Sequence, residues 1–169
     1  WGVSKERFEE LRKDKRIWFG EKGDNVPRLK RFRSEVQEGL VPVTIWLHEE
    51  VGHNQEAKQE LKQIFHKSNL PFETPKPVRL LKRIFQLSTV QNDIILDSFA
   101  GSGTTAHAVL ELNKAGGSRK FILVEMEQDI CRNITSERVR WVAKGYSYKK
   151  AKGEAKKVEG LGGGFEYAE

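Results

Sequence analysis

Apolar residues along this 169-residue chain fall into two kinds of pattern. In one they recur three and four apart, the spacing of a helix face; in the other they run together or alternate, as in a strand. Residues 4–14 show the helical spacing, with Ser4 placed as N-cap and Phe8 and Leu11 on one stripe. Residues 56–66 repeat it through Ala57, Leu61, Ile64 and Phe65. Arg16-Ile17-Trp18-Phe19 reads as a short strand closed by the turn cluster 20–25, and Thr44-Ile45-Trp46-Leu47 as a second. From Pro77 onward the pattern alternates. A helix carrying Val78, Leu81, Ile84 and Phe85 is followed by strand 93–98, helix 103–114, strand 120–125 and helix 127–143. Strand, helix, strand, helix predicts a parallel sheet with right-handed crossovers.

The connector Ser68–Pro77 carries three prolines in seven residues and reads as extended chain between two segments. The expected organisation is therefore a small α+β segment, 1–70, ahead of an α/β segment, 71–169. Within the latter, the Lys- and Gly-rich residues 144–164 read as a mobile surface loop. No internal repeat is present. The chain starts at Trp1, and Phe165-Glu166-Tyr167-Ala168-Glu169 alternates like an unfinished strand, so a piece of a longer protein is expected.

Composition narrows this only a little. A net charge of +6 fits a polyanionic partner without requiring one. The single cysteine, Cys131, excludes an internal disulfide, points to a reducing compartment and reads as a small packed helix residue. No stretch approaches a membrane span. His48-Glu49-Glu50-Val51-Gly52-His53 misses the metalloprotease spacing, since its histidines are five apart and Gly52 breaks the helix, so no metal is expected. Arg28, Lys30, Arg31 and Arg33, with Phe32 and Trp18 nearby, form a candidate phosphate-contacting patch. Trp1, Trp46 and Trp141 read as core or interface residues, and His107 as a packed or surface helix residue.

The chemistry concentrates in Asp97-Ser98-Phe99-Ala100-Gly101-Ser102-Gly103-Thr104-Thr105, directly after the apolar run Ile94-Ile95-Leu96. Strand end, Gly-rich turn and helix start bring bare backbone to a nucleotide-like cofactor. Three cofactor types use such a turn. A phosphate-binding loop needs a Lys after its last Gly, and here Thr104 follows Gly103. A dinucleotide fold wants a third Gly, and here Ala106 fills that place, which leaves NAD or FAD open. S-adenosyl-L-methionine, with a sulfonium and an ammonium but no phosphate, needs carboxylates near its cationic end and an acid for the ribose. Asp97 suits the first role. Glu125, at the end of the next strand, suits the second.

The turn also resembles the Phe-x-Gly-x-Gly cofactor motif of amino DNA methyltransferases. Thr74-Pro75-Lys76-Pro77, followed by Leu80 and Leu81, resembles the Thr-x-Lys-Pro element that precedes it. Their order resembles the β class, and residues 41–66 look like the modification subunit of type III restriction systems. The resemblance implies a partial Rossmann-like fold and S-adenosyl-L-methionine held by Lys76, Pro77, Asp97, Phe99, Ala100, Gly101, Ser102, Gly103, Thr104, Thr105 and Glu125. It also implies methylation of adenine N6 in flipped-out double-stranded DNA, with cytosine N4 as the alternative acceptor. A cytoplasmic, prokaryotic setting, a restriction (helicase) subunit and a homodimer would go with it. A nicotinamide-dependent oxidoreductase remains the reading from outside this class. One element of the family is missing. The Asp-Pro-Pro-Tyr-type loop that holds the acceptor base occurs nowhere, since no two prolines are adjacent. In the β-class order that loop lies upstream, so the chain is expected to carry no catalytic residue and to be inactive alone.

Overall fold

The computed structural model describes residues 2–36, 39, 41–66, 72–149 and 153–169. Trp1 and the expected 70/71 boundary lie outside them. The chain divides into two compact units, Trp1–Thr44 and Ile45–Glu169.

In the first unit, helix α1 (Lys5–Lys13) starts where Ser4 Oγ accepts from the Arg7 amide at 3.3 Å, and Leu11 is its buried residue. Strand β1 (Ile17–Trp18) pairs antiparallel with β2 (Arg28–Leu29), Ile17 opposite Leu29. The turn cluster between them places Gly20 and Gly23 at positive φ. Arg16 then grips Glu35 through two hydrogen bonds, 2.8 and 2.5 Å, and its guanidinium lies 4.8 Å from the centre of the Phe32 ring. Phe32 is thereby held by Arg16. The strand expected at 44–47 does not form. Ile45 and Leu47 are exposed, and Leu47 instead caps the helix at 48–51, its carbonyl accepting from the Glu50 and Val51 amides at 3.0 and 3.1 Å.

The second unit begins with α2 (His48–Val51) and α3 (Asn54–Phe65). Between them, Gly52 sits at φ +82°, and a Cβ there would fall 2.8 Å from Pro77 Cβ. Helix α4 (Val78–Ser88) follows Pro77, its N-cap. Then come β3 (Ile94–Asp97), α5 (Thr104–Lys114) and β4 (Lys120–Leu123). β3 and β4 are parallel, Ile94 opposite Lys120 through Asp97 opposite Leu123. The expected helix 127–143 is α6 (Gln128–Ile130), a π-helical turn (Cys131–Thr135) and α7 (Ser136–Lys144). The mixed α/β class with a parallel pair matches the sequence pattern.

α5 is buried on almost every side, which explains its run of small and apolar residues. One side meets α4 and β3 through Val78, Phe85, Ile95, Ala108, Val109 and Leu112. The other meets α3 and α7 through Ile64, Ala106, Leu110, Val139 and Val142. α3, on the N-terminal side of the Pro-rich connector, thus belongs to the second unit, because its buried stripe has its complement there. The compact unit starts at Ile45, well ahead of the expected seam.

Regular structure also falls within 144–164, read from the sequence as a mobile surface loop. Residues 145–149 (β5) and 155–159 (β6) form an antiparallel hairpin, Tyr146 opposite Val158 and Tyr148 opposite Lys156. Its base closes tightly. A Cβ on Gly145 would sit 2.7 Å from the Gly160 amide nitrogen. Among the described residues, no helix is long and apolar enough to cross a membrane.

Candidate functional site

β3 and β4 run side by side and deliver Asp97 and Glu125 to the same end of the sheet. Two backbone bonds continue the pairing past the strands: Val124 N to Asp97 O at 2.8 Å, and Ala100 N to Val124 O at 3.0 Å. The glycine turn therefore starts from a fixed point. Gly101 and Gly103 both take positive φ, +52° and +73°, where a side chain is strained. Gly103 is the N-cap of α5.

The two carboxylates shape the turn directly. Asp97 Oδ1 accepts from the Phe99 amide at 3.1 Å and Oδ2 from the Thr105 hydroxyl at 2.6 Å. Glu125 Oε2 accepts from the Gly101 amide at 2.8 Å and Oε1 from the Glu127 amide at 3.1 Å. Each oxygen keeps a second lone pair for a ligand donor. Phe99 stands almost fully exposed beside them and Ala100 is buried. From the connector ahead of α4, Phe72 lies against Gly101, where a Cβ would come within 2.9 Å of its ring. The connector after Phe72 leads through buried Pro75, exposed Lys76 and buried Pro77.

Ser102, Thr104 and Thr105 are buried, with their hydroxyls already engaged inside the protein. The Ser102 and Thr104 hydroxyls turn to each other and to Arg138, and the Thr105 hydroxyl to Asp97, so the turn offers a ligand its backbone and the two carboxylates. Beneath the turn, Thr135 Oγ1 donates to Gly101 O at 2.6 Å, and Gly103 packs on the Thr135 carbonyl. Arg138 completes this support. Its Nη1 donates to Thr104 Oγ1 at 2.8 Å, Ser102 Oγ at 3.1 Å and Ser102 O at 3.3 Å. Its Nη2 donates to Glu60 Oε2 at 3.0 Å and to His107 Nδ1 at 3.2 Å. Since Arg can only donate, His107 Nδ1 accepts, and Nε2 carries the proton toward Glu111 Oε1 at 3.5 Å. Burial works against the Arg138 charge, and Glu60 is the main group offsetting it.

Thr135, Arg138 and Glu60 carry no motif in the sequence, though Arg138 has a signal. It interrupts the stripe Ile134–Arg138–Val142, four apart, at a position that should be apolar.

Glu111 closes the network. His107 and then Lys82, whose Nζ donates at 2.7 Å, hold its carboxyl down from 4.5 to about 2. A carboxyl with a depressed native pKa adds stability that is fully present above about pH 4.5 and lost as pH falls toward 2. Glu111→Gln is therefore expected to lower the thermal midpoint at pH 7 and to flatten its decline between those two pH values. An unchanged acid slope in the variant would refute this.

The remaining sequence candidates lie elsewhere. Arg28, Lys30, Arg31 and Arg33 are exposed on β2 and the short turn after it, in the first unit, and none pairs with a carboxylate among the described residues. His53 Nδ1 caps α3 by accepting from the Glu56 amide at 3.1 Å, while His48 lies 3.3 Å from Glu49. Among the described residues no cluster of His, Cys, Asp and Glu could hold a metal ion. Trp141 is partly exposed and meets His66 edge-on, Trp46 is half-buried, and Cys131 opens the π-helical turn.

Residues 3–137 match a family model described as DNA methylase. The chain is 34% identical over 139 residues to the type III restriction-modification enzyme StyLTI Mod subunit of Salmonella typhimurium, covering 82% of this chain and 21% of that protein. It is 33% identical over 122 residues to the EcoP15I Mod subunit of Escherichia coli, covering 72% and 18%. With the type II methyltransferase M.KpnI of Klebsiella pneumoniae it shares 39% over 90 residues, covering 53% and 21%. The chain thus spans about a fifth of the length of the curated relatives it matches.

Proposed function

Because the chain belongs to the DNA methylase family, we propose that its glycine turn seats S-adenosyl-L-methionine, as the donor half of a restriction-modification DNA methyltransferase acting on adenine N6. The observation that carries this is the pair of carboxylates, Asp97 and Glu125, gripping one turn that has no Lys after its glycines. A cationic, phosphate-free ligand with a ribose fits that donor set; a triphosphate does not. When bound, the cofactor supplies a methyl group on a sulfonium.

The chain's own residues then divide the work. Asp97 neutralises positive charge at the methionine end, and the backbone of Gly101–Thr105 lies against it. Phe99 and Ala100 border the site. Glu125 accepts from the ribose hydroxyls while holding the Gly101 amide. Lys76 and Pro77 close over the amino-acid moiety. In this reading β3–α5–β4 is the cofactor half of a Rossmann-like methyltransferase fold. The acceptor is an adenine flipped out of double-stranded DNA, with Arg28, Lys30, Arg31 and Arg33 on the phosphates. The intact protein works with a restriction (helicase) subunit and as a homodimer.

No Asp-Pro-Pro-Tyr-type loop is among these residues, so nothing here holds the exocyclic amine in line for attack. The chain is expected to bind the donor, weakly or not at all if the half that carries that loop completes the pocket, without methylating DNA. Calorimetric titration with S-adenosyl-L-methionine, S-adenosylhomocysteine and NAD tests the cofactor. Saturable binding of the first two is expected, and binding of NAD alone would overturn the reading. A methyl-transfer assay on DNA, scoring both adenine and cytosine, should show no turnover by this chain.

A further inference from the structure

Arg138 is wholly buried, yet its partners are unusual for a structural ion pair. Three of its five hydrogen bonds end on Ser102 and Thr104, inside the glycine turn. The others reach Glu60, 78 residues earlier on α3, and His107 on α5. Among the described residues its Nε–H has no partner. Burying a guanidinium is unfavourable, and leaving one donor unpaired adds to that. An apolar residue at this place in the Ile134–Val142 stripe would fill the core without either penalty. What Arg supplies instead is a rigid planar fork, whose two arms fix two things at once. One arm holds the underside of the turn, and the other is anchored on Glu60.

We propose that Arg138 is a positioning residue for the donor site, clamping Ser102 and Thr104 so that the opposite, backbone face of the turn is held ready for the cofactor. This rests on the S-adenosyl-L-methionine reading of the turn. Arg138 touches no ligand itself; it acts through the two residues it holds. Glu60 is the far anchor of the clamp, so a helix distant in sequence sets the height of the turn. A lysine in place of Arg138 would keep a charge for Glu60, but its single ammonium cannot serve the Glu60 and turn arms together.

The test compares Arg138→Met, Arg138→Lys and Ser102→Ala in this chain. The readouts are thermal midpoint, backbone amide exchange without ligand, and titration with S-adenosylhomocysteine. Arg138→Lys is expected to regain part of the midpoint lost in Arg138→Met. It should regain neither the protection of the 101–105 amides nor the affinity, each reduced about tenfold or more. Ser102→Ala, which removes one acceptor and keeps the fork, should shift both in the same direction by less. It keeps the question open to measurement if Arg138→Met does not fold. Exchange that rises evenly across the unit in step with the midpoint would overturn the proposal, as would unchanged affinity in folded Arg138 variants. If the unsubstituted chain binds neither cofactor form, the donor reading fails instead, and the exchange of the 101–105 amides still decides whether Arg138 clamps the turn.

Discussion

Glu125→Ala is expected to weaken S-adenosyl-L-methionine binding by about a hundredfold, on the order of 2.7 kcal/mol. The size follows from a double role. In the ligand-free site, Glu125 already satisfies the Gly101 and Glu127 amides. Alanine strands the part-buried Gly101 amide and frees the turn, an orphaned donor costing roughly 1–3 kcal/mol where water cannot replace the acceptor, while the exposed Glu127 amide turns to water. It also removes the acceptor assigned to the ribose. Glu125→Gln should fall between, because its amide oxygen can serve one backbone donor while its NH2 confronts the other.

Asp97→Asn isolates charge from geometry. Asn can accept from the Phe99 amide with its oxygen and donate to Thr105 Oγ1 with its nitrogen, so both contacts of Asp97 survive. Thermal stability should then be nearly unchanged while cofactor affinity drops roughly tenfold, the worth of one charge-assisted contact. Calorimetry on the two variants decides the matter. Equal and small losses at Asp97 and Glu125 would mean that the carboxylates only brace the turn.

What makes this site legible in the sequence is local. A β-branched run, two glycines one residue apart and a Thr-Thr helix start are all contiguous, and each has a steric reason. Glu125 is legible because a strand end one crossover later is a predictable distance away. What stays hidden depends on contacts between distant segments. Glu60 and Arg138 are separated by 78 residues, and no periodicity links them. The hairpin at 145–159 is obscured by its lysines and glycines. Its period-2 signal, Tyr146 and Tyr148 facing Val158 and Lys156, is short, and composition favours a loop. The strand expected at 44–47 fails for the converse reason: propensity is present, and among the described residues a partner strand is not. The unit boundary moves to Ile45 because the apolar stripe of α3 is completed only by α5 and α7.

Gly103→Val should be among the most destabilising single changes in the second unit, by roughly 3 kcal/mol or more, combining backbone strain and overpacking. Gly103 holds φ +73° at the N-cap of α5, a conformation that β-branched residues almost never adopt. A Cβ there would lie 3.1 Å from the Thr135 carbonyl oxygen and 3.4 Å from its methyl, and both are fixed. Thr135 cannot retreat without loosening its 2.6 Å bond to the Gly101 carbonyl, so the clash passes into the turn itself. At about 2–4 °C per kcal/mol for a chain this size, a loss near 10 °C in thermal midpoint is expected. Gly116→Val separates the two contributions. Gly116 also has positive φ, +102°, but a Cβ there meets nothing within 4 Å, so that variant reports strain without the clash. If the two variants lost stability equally, the turn would be tolerating Thr135 as a soft neighbour, and its close seating on the π-helical turn would matter only for backbone conformation. A clearly larger loss at Gly103 would instead tie the height of the turn to the support beneath it, which Thr135 and Arg138 share.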